Sequence, residues 1–215
     1  MESRYEKITL LLYYTLKILI LVGLGFALVK QEWVHSIFIT LIFLLTYAPT
    51  LFKAKYRIYF PIEFDFFIIA FIFLSLFLGE MQDYYTKFWW WDLYLHSGSG
   101  FLLGMVGFIL SYTINEQKNI SIHMKAGYVA LFAFGFSMTM ASLWEIFEFG
   151  MDQIFAFNMQ KSGIVDTMWD LIVAMIGAAI ISILGYLWMK KKISFFAFDH
   201  SVKKFVRKNK HLFHD

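Results

Sequence analysis

Residues 166–188 read DTMWDLIVAMIGAAIISILGYLW, and this stretch decides the fold. After Asp170 it runs for eighteen residues without a charge, close to the roughly twenty predominantly apolar residues that a transmembrane helix needs. Stretches of the same character occur at 8–29, 33–51, 61–79, 93–114 and 127–149. The sequence therefore predicts an all-α, polytopic membrane protein with six transmembrane helices.

The composition supports one membrane domain. Hydrophobic residues make up 60% of the 215, and no linker rich in proline, glycine or serine divides the chain. We predict a six-helix transmembrane domain at 1–189 and a basic amphipathic cytoplasmic tail at 190–215, whose phenylalanines and lysines suit contact with anionic lipid. Cysteine is absent, which excludes disulfides and thiolate ligands, so any metal would be held by oxygen and nitrogen.

Lysine and arginine predict the orientation. Fifteen of them lie in the two tails and the second and fourth loops, whereas the other three loops contain only Lys30, Lys87 and Lys161. Basic residues concentrate on the cytoplasmic side, so we predict cytoplasmic N- and C-termini in a bacterial cytoplasmic (inner) membrane. We expect Lys17, inside the first helix, to extend toward the interface, and a counter-charge to a buried carboxylate is the alternative. Glu63 and Asp65 are expected in interfacial water beside the basic 53–57 loop.

Ionisable residues in and beside the last three apolar stretches predict a site. Within each stretch they are three or four residues apart, so each group shares one helix face. The groups are Asp92 with His96, then Glu145, Glu148 and Asp152, and finally Asp166 with Asp170. Charged residues in membrane segments are rare and usually functional. The predicted orientation places all three groups at the outer leaflet, where we expect them to converge.

Small residues in series favour close packing of the fourth and sixth helices. The series are Gly100, Gly104 and Gly107 on one helix, and Ala174, Ala178, Ser182 and Gly185 on the other. Close packing would bring the polar ends of these helices together.

Crowded carboxylates repel one another and are costly to desolvate, so a bound divalent metal is the most economical compensation. One imidazole with several carboxylates suits zinc, manganese, iron or magnesium. The predicted metal ligands are His96, Glu145, Glu148 and Asp170. We assign Asp92, Asp152 and Asp166 as candidates for a general base or for orienting a ligand, and capping a helix or facing interfacial water also explains them. No phosphate-loop glycine pattern is present, and no organic cofactor is predicted.

Three runs carry a resemblance to known families: WDLYLHSG at 91–98, WEIFE at 144–148 and DTMWD at 166–170. They resemble the YjdF-like family of bacterial inner-membrane proteins. A more distant similarity is to the VanZ-like family, which is associated with glycopeptide antibiotic resistance. Asp92, His96, Glu145 and Asp170 match its pattern, although Ala174 stands where that family has asparagine. The resemblance implies a fold and a site, and it brings no settled biochemical activity.

The leading functional hypothesis is a membrane-embedded, metal-dependent enzyme that hydrolyses a lipid or lipid-linked envelope substrate, first of all a phosphoester, at the outer leaflet. The segment 154–165, with Gly163 as a hinge, would cover the site as a lid. The alternatives are a transporter of metal ions or protons, because clustered membrane carboxylates also mark ion pathways, and a non-catalytic membrane scaffold. We expect membrane lipids as partners and no nucleic acid, and the oligomeric state stays open.

Overall fold

The computed structural model describes residues 4–116, 124–191 and 196–209. These residues form helices and no strand, and six helical segments are long and apolar enough to cross a membrane. The segments are Arg4–Val29, Trp33–Tyr56, Ile62–Glu80, Trp91–Asn115, Ala126–Phe155 and Ile164–Met189. Each predicted apolar stretch overlaps one of them. The predicted all-α membrane fold with six spans is therefore confirmed.

The chain divides into two compact units, Met1–Trp91 and Asp92–Asp215. The first contains α1 (Arg4–Val29), α2 (Trp33–Leu45), α3 (Ala48–Tyr56), α4 (Ile62–Ile72), a π-helix (Phe73–Glu80) and α5 (Tyr84–Lys87). The second contains α7 (Ala126–Phe155), α8 (Ile164–Met189), α9 (Phe196–Lys208) and all of α6 (Trp91–Glu116) except its first residue. All seven candidate site residues belong to the second unit.

In the first unit, the second span is broken between α2 and α3. Pro49 has no N–H to donate to the carbonyl of Leu45, so the α-helical ladder cannot continue through this point. Apolar side chains from α1, α2 and the π-helix form the core of the unit. The buried members are Ile20, Ala27, Ile39, Ile42, Phe73 and Phe77.

The third span changes helix type halfway along its length. At Phe73 the α-helix gives way to a π-helix, and Met81 donates its N–H to the carbonyl of Leu76, five residues back, at 3.1 Å. Such wider turns are rare in proteins, and those that occur often lie at functional sites. The ring of Phe77 lies against Gly23 of α1, where a Cβ would overlap the ring. The absent side chain at Gly23 thus makes room for the π-helix.

Two acidic residues at the start of α4 are buried, so their predicted exposure to interfacial water is wrong. Glu63 is 3% exposed and Asp65 is 7% exposed. Asp65 nevertheless pairs with Lys53 of the basic segment at 2.5 Å, as expected for neighbours of that segment.

Lys17 is also buried, with its ammonium 3.7 Å from the ring centre of Tyr47. A cation–π contact therefore holds Lys17, and its extension toward the interface stays a prediction.

In the second unit, α6 and α8 approach so closely that side chains are excluded at two positions. A Cβ on Gly100 would overlap the backbone carbonyl of Ala174, and a Cβ on Gly177 would overlap that of Ser97. Ser137 of α7 donates a hydrogen bond to the carbonyl of Gly100 at 2.7 Å. The predicted close packing of these two helices is confirmed, and α7 is tied to the same place.

The described part of the tail contains the helix α9, Phe196–Lys208. Val202 and Phe205 on this helix are buried, so part of its apolar face packs within the protein. The predicted contributions of Phe195 and of residues 210–215 lie outside the described residues. Contact of this tail with lipid stays a prediction.

Candidate metal centre

The imidazole of His96 lies between acidic side chains from α6 and α8. Its Nε2 is 3.5 Å from Oδ1 of Asp92, one turn earlier on α6, and 4.0 Å from Oδ2 of Asp170 on α8. One possible ligand atom from each of these three residues lies within 4.8 Å of the others. In the described parts of the chain, this is the group of histidine and acidic residues arranged closely enough to share a metal ion. The predicted convergence of α6 and α8 is therefore present.

Glu145 of α7 approaches the other side of the same ring. Its Oε1 is 3.6 Å from Nδ1 of His96. A histidine that ligates metal through one nitrogen usually gives its other N–H to a carboxylate, which fixes the ring and raises its basicity. In this position Glu145 can orient His96, and its predicted role as a metal ligand stays a prediction.

One carboxylate oxygen of this cluster lacks compensation. Oδ1 of Asp170 is buried without a hydrogen-bond partner among the described residues, and Asp170 is only 2% exposed. An ionised group removed from water costs several kcal/mol unless a partner replaces its hydration. A divalent cation would provide that replacement.

Glu148, another predicted ligand, has a different environment. It is buried on the same helix as Glu145, and its Oε1 accepts a hydrogen bond from the indole N–H of Trp144 at 2.8 Å. It falls outside the group formed by Asp92, His96 and Asp170. Its assignment as a ligand stays a prediction.

Asp152 and Asp166 hold the connection between α7 and α8. The two oxygens of Asp152 accept hydrogen bonds from the backbone N–H groups of Met159 at 2.5 Å and Gln160 at 2.8 Å. Asp166 accepts one from the backbone N–H of Lys161 at 3.0 Å. These contacts give both aspartates a structural role in the connection, while the predicted catalytic roles stay predictions.

The same connection was predicted to act as a lid. Gly163, with a φ of +64°, turns the chain into α8 through a conformation that side chains disfavour. The amide of Gln160 also donates to the hydroxyl of Thr167 at 2.5 Å. Side chains from both flanking helices therefore hold the segment in place in the observed conformation.

Lys161 belongs to the site, although the sequence reasoning counted it only as an outward-facing cation. Its Nζ lies 3.4 Å from Oδ2 of Asp92, a residue 69 positions away. The signal available in the sequence was its position in the short connection between α7 and α8, which both carry candidate site residues.

Comparison with known proteins places the chain in a family. The family described as "Predicted membrane protein (DUF2238)" matches residues 10–191, a range that includes every candidate site residue. An uncharacterized protein of Thermotoga maritima is 28% identical over 177 residues, which cover 82% of this chain and 87% of the relative. No solved structure matches the chain. Because the family match extends over most of its length, this chain belongs to the DUF2238 family of predicted membrane proteins.

Proposed function

We propose that the second unit is a metal-dependent hydrolase acting on a phosphoester of a lipid or lipid-linked envelope substrate. The observation that carries the proposal is the close approach of Asp92, His96 and Asp170, with Oδ1 of Asp170 buried and without a partner among the described residues. In this assignment those three residues hold the ion, His96 through Nε2, and Glu145 orients the imidazole through Nδ1. One nitrogen and several carboxylate oxygens suit zinc, manganese, iron or magnesium.

Hydrolysis of a phosphoester needs charge neutralisation and an activated water. A divalent ion held in this site supplies both when bound. Water adds to phosphorus, the bond from phosphorus to the leaving alkoxide breaks, and that oxygen takes up a proton. Lys161 supports phosphate recognition, because its ammonium already lies beside Asp92 and phosphate groups are commonly bound by lysine and arginine. Asp152 and Asp166 contribute by holding the segment that carries Lys161.

The proposed setting is the bacterial inner membrane, with both termini in the cytoplasm. The excess of basic residues in the tails and alternate loops supports this orientation. The resemblance to YjdF-like inner-membrane proteins supports the same compartment. In this orientation the site is at the outer leaflet, among helices that a lipid substrate can approach within the bilayer.

We expect the purified protein to release phosphate from phosphatidic acid or a polyprenyl monophosphate only when metal is supplied. The test measures inorganic phosphate released from detergent-dispersed phosphatidic acid and polyprenyl monophosphate, with zinc, manganese, iron or magnesium added in turn. A chelator should stop the release, and His96→Ala should slow it at least about 100-fold, because it removes a proposed ligand. Asp83→Asn, which changes an exposed carboxylate in the first unit, is the matched control. Release that survives His96→Ala, or no release with any of these metals, contradicts the proposal.

A transporter is the second candidate, and the buried charges of the first unit favour it. Lys17, Glu63 and Asp65 are all buried there, and both oxygens of Glu63 lack a partner among the described residues. Ion pathways also use buried charged residues. The hydrolase proposal predicts that proteoliposomes loaded with metal-sensitive or pH-sensitive dye show no flux above empty liposomes. Flux that is abolished by Glu145→Gln would contradict the hydrolase proposal and support a carrier. A scaffold would show neither metal binding nor flux.

A further inference from the structure

The first unit contains a cavity of about 490 Å³, separate in sequence from every residue of the metal centre. Small-molecule and cofactor sites commonly measure roughly 300–1,000 Å³. Its walls come from α1, α2 and the π-helix, with Ile39, Phe73 and Phe77 buried at its base. Val22 and Phe26 also line it and are exposed. The cavity is therefore a groove with both apolar and polar lining that opens on the side of a membrane-spanning helix.

The length of the groove matches one leaflet of a bilayer. It extends along α1 from Leu19 to Lys30. Eleven residues at about 1.5 Å per residue span about 16 Å. One leaflet contributes about half of the roughly 30 Å hydrocarbon thickness. An acyl chain that enters at the end of α1 would reach the middle of the bilayer at the other end of the groove.

The mouth of the groove carries charges of both signs. Lys30 and Glu32 line it on the turn between α1 and α2, where Gln31 has a φ of +59°. His35, in the first turn of α2, has its Nδ1 3.5 Å from Oε2 of Glu32, and both side chains are about half exposed. Gln82, just beyond the π-helix, also lines the mouth. An ammonium and a carboxylate two residues apart are complementary to a headgroup that has a phosphate beside an ammonium.

We infer that this groove binds one acyl chain of a phospholipid whose headgroup contains a phosphate and a primary ammonium, as in phosphatidylethanolamine. Lys30 binds the phosphate, Glu32 accepts hydrogen bonds from the ammonium, and the groove receives the chain. A trimethylated ammonium has no N–H to donate to Glu32, and a glycerol headgroup has no positive charge for it. The inference concerns the first unit alone and does not depend on the proposed hydrolase.

The experiment measures lipid retained by the full-length protein. Purified protein in detergent is titrated with phosphatidylethanolamine, phosphatidylcholine or phosphatidylglycerol of identical chains, and bound lipid is counted by native mass spectrometry. We expect one phosphatidylethanolamine to bind at least about tenfold more tightly than either other lipid. Glu32→Gln should remove this preference, and Val22→Trp, which places an indole in the groove, should remove the tight binding itself. Leu11→Trp, at an exposed position of α1 outside the groove, is the matched control.

Lys30→Gln is an independent variant at the exposed mouth of the groove. We expect it to weaken the binding of phosphatidylethanolamine at least about fivefold. Equal retention of all three lipids by the wild-type protein would show only general solvation by lipid and would overturn the inference. Tight binding that persists in Val22→Trp would overturn it as well, because the lipid would then lie elsewhere. Neither result bears on the metal centre.

Discussion

Replacing Asp170 with asparagine is expected to lower the affinity for divalent metal at least about 100-fold. Loss of a residue that only supports a ligand typically costs 10–100-fold in affinity, so loss of a ligand should reach or exceed the upper end of that range. The change retains the shape of the side chain while removing a buried charge, one oxygen of which has no partner in the described parts of the chain. Metal content by elemental analysis and titration against a competing chelator give the measurement.

Stability distinguishes this result from misfolding. Without metal, Asp170→Asn should be at least as stable as the wild-type protein, because a buried charge has been removed. With metal, the wild-type protein and the control should gain melting temperature and Asp170→Asn should not, as expected for a ligand that binds the folded state. Asp83→Asn serves again as the control. Full metal occupancy in Asp170→Asn would exclude Asp170 as a ligand.

The variant Glu145→Gln tests, in the same measurements, whether Glu145 orients His96 or binds the metal directly. If Glu145 acts through Nδ1 of His96, its loss should reduce metal affinity by about 10–100-fold, less than the loss of Asp170. A loss as large as that of Asp170→Asn would instead support the sequence prediction that Glu145 binds the metal directly.

Replacing Gly177 with alanine is expected to destabilise the second unit by about 3 kcal/mol or more. Overpacking of a well-packed core typically costs about 1–3 kcal/mol and occasionally more. The added Cβ would overlap the backbone carbonyl of Ser97, which has no rotamer through which to move away. Relief requires separating α6 from α8, and that movement also separates His96 from Asp170. The free energy of unfolding and the metal affinity should therefore fall together.

Gly135→Ala is the matched control for this change, because it adds the same methyl group to a transmembrane helix at a position where, apart from its own helix, no described residue has an atom within 4 Å of the new Cβ. Glycine within a helix is less favourable than alanine by roughly 0.5–1 kcal/mol, so this variant should be neutral or slightly more stable. Equal stability of Gly177→Ala and Gly135→Ala would show that the helices separate readily and that close contact does not hold the site together.

The sequence predicts most of the fold because membrane insertion leaves a strong local signal. Six apolar stretches were enough to find the six spans, and helical spacing alone placed Asp92 with His96 on one face. Small residues predicted the contact of Gly100 with Ala174 for the same reason, since close backbones tolerate few side chains. Gly107 shows the limit of predicting helix contacts from small residues. It packs against Ala133 and Phe136 of α7, and its spacing along α6 does not reveal which neighbour it faces.

The remaining features depend on contacts that spacing does not encode. A uniformly apolar stretch has no periodicity to distinguish an α-helix from the π-helix at Phe73–Glu80. The burial of Glu63 follows from packing that charge alone argues against. In the candidate site, the sequence shows that a carboxylate accepts hydrogen bonds, but it does not show which donor the carboxylate meets. Asp152 accepts hydrogen bonds from backbone amides, whereas one oxygen of Asp170 has no partner among the described residues, although both are aspartates on helices.

The hydrogen bonds that hold the connection between α7 and α8 decide how a molecule can reach the aspartates. Asp152, Asp166 and Thr167 hold this segment, and Lys161 extends from it to Asp92. A molecule that approached Asp92 past this segment would have to break several of these contacts. Under the proposed function, substrates dissolved in the membrane would reach the site laterally between helices. Soluble phosphates would be excluded because they lack this route, whatever their shape or charge.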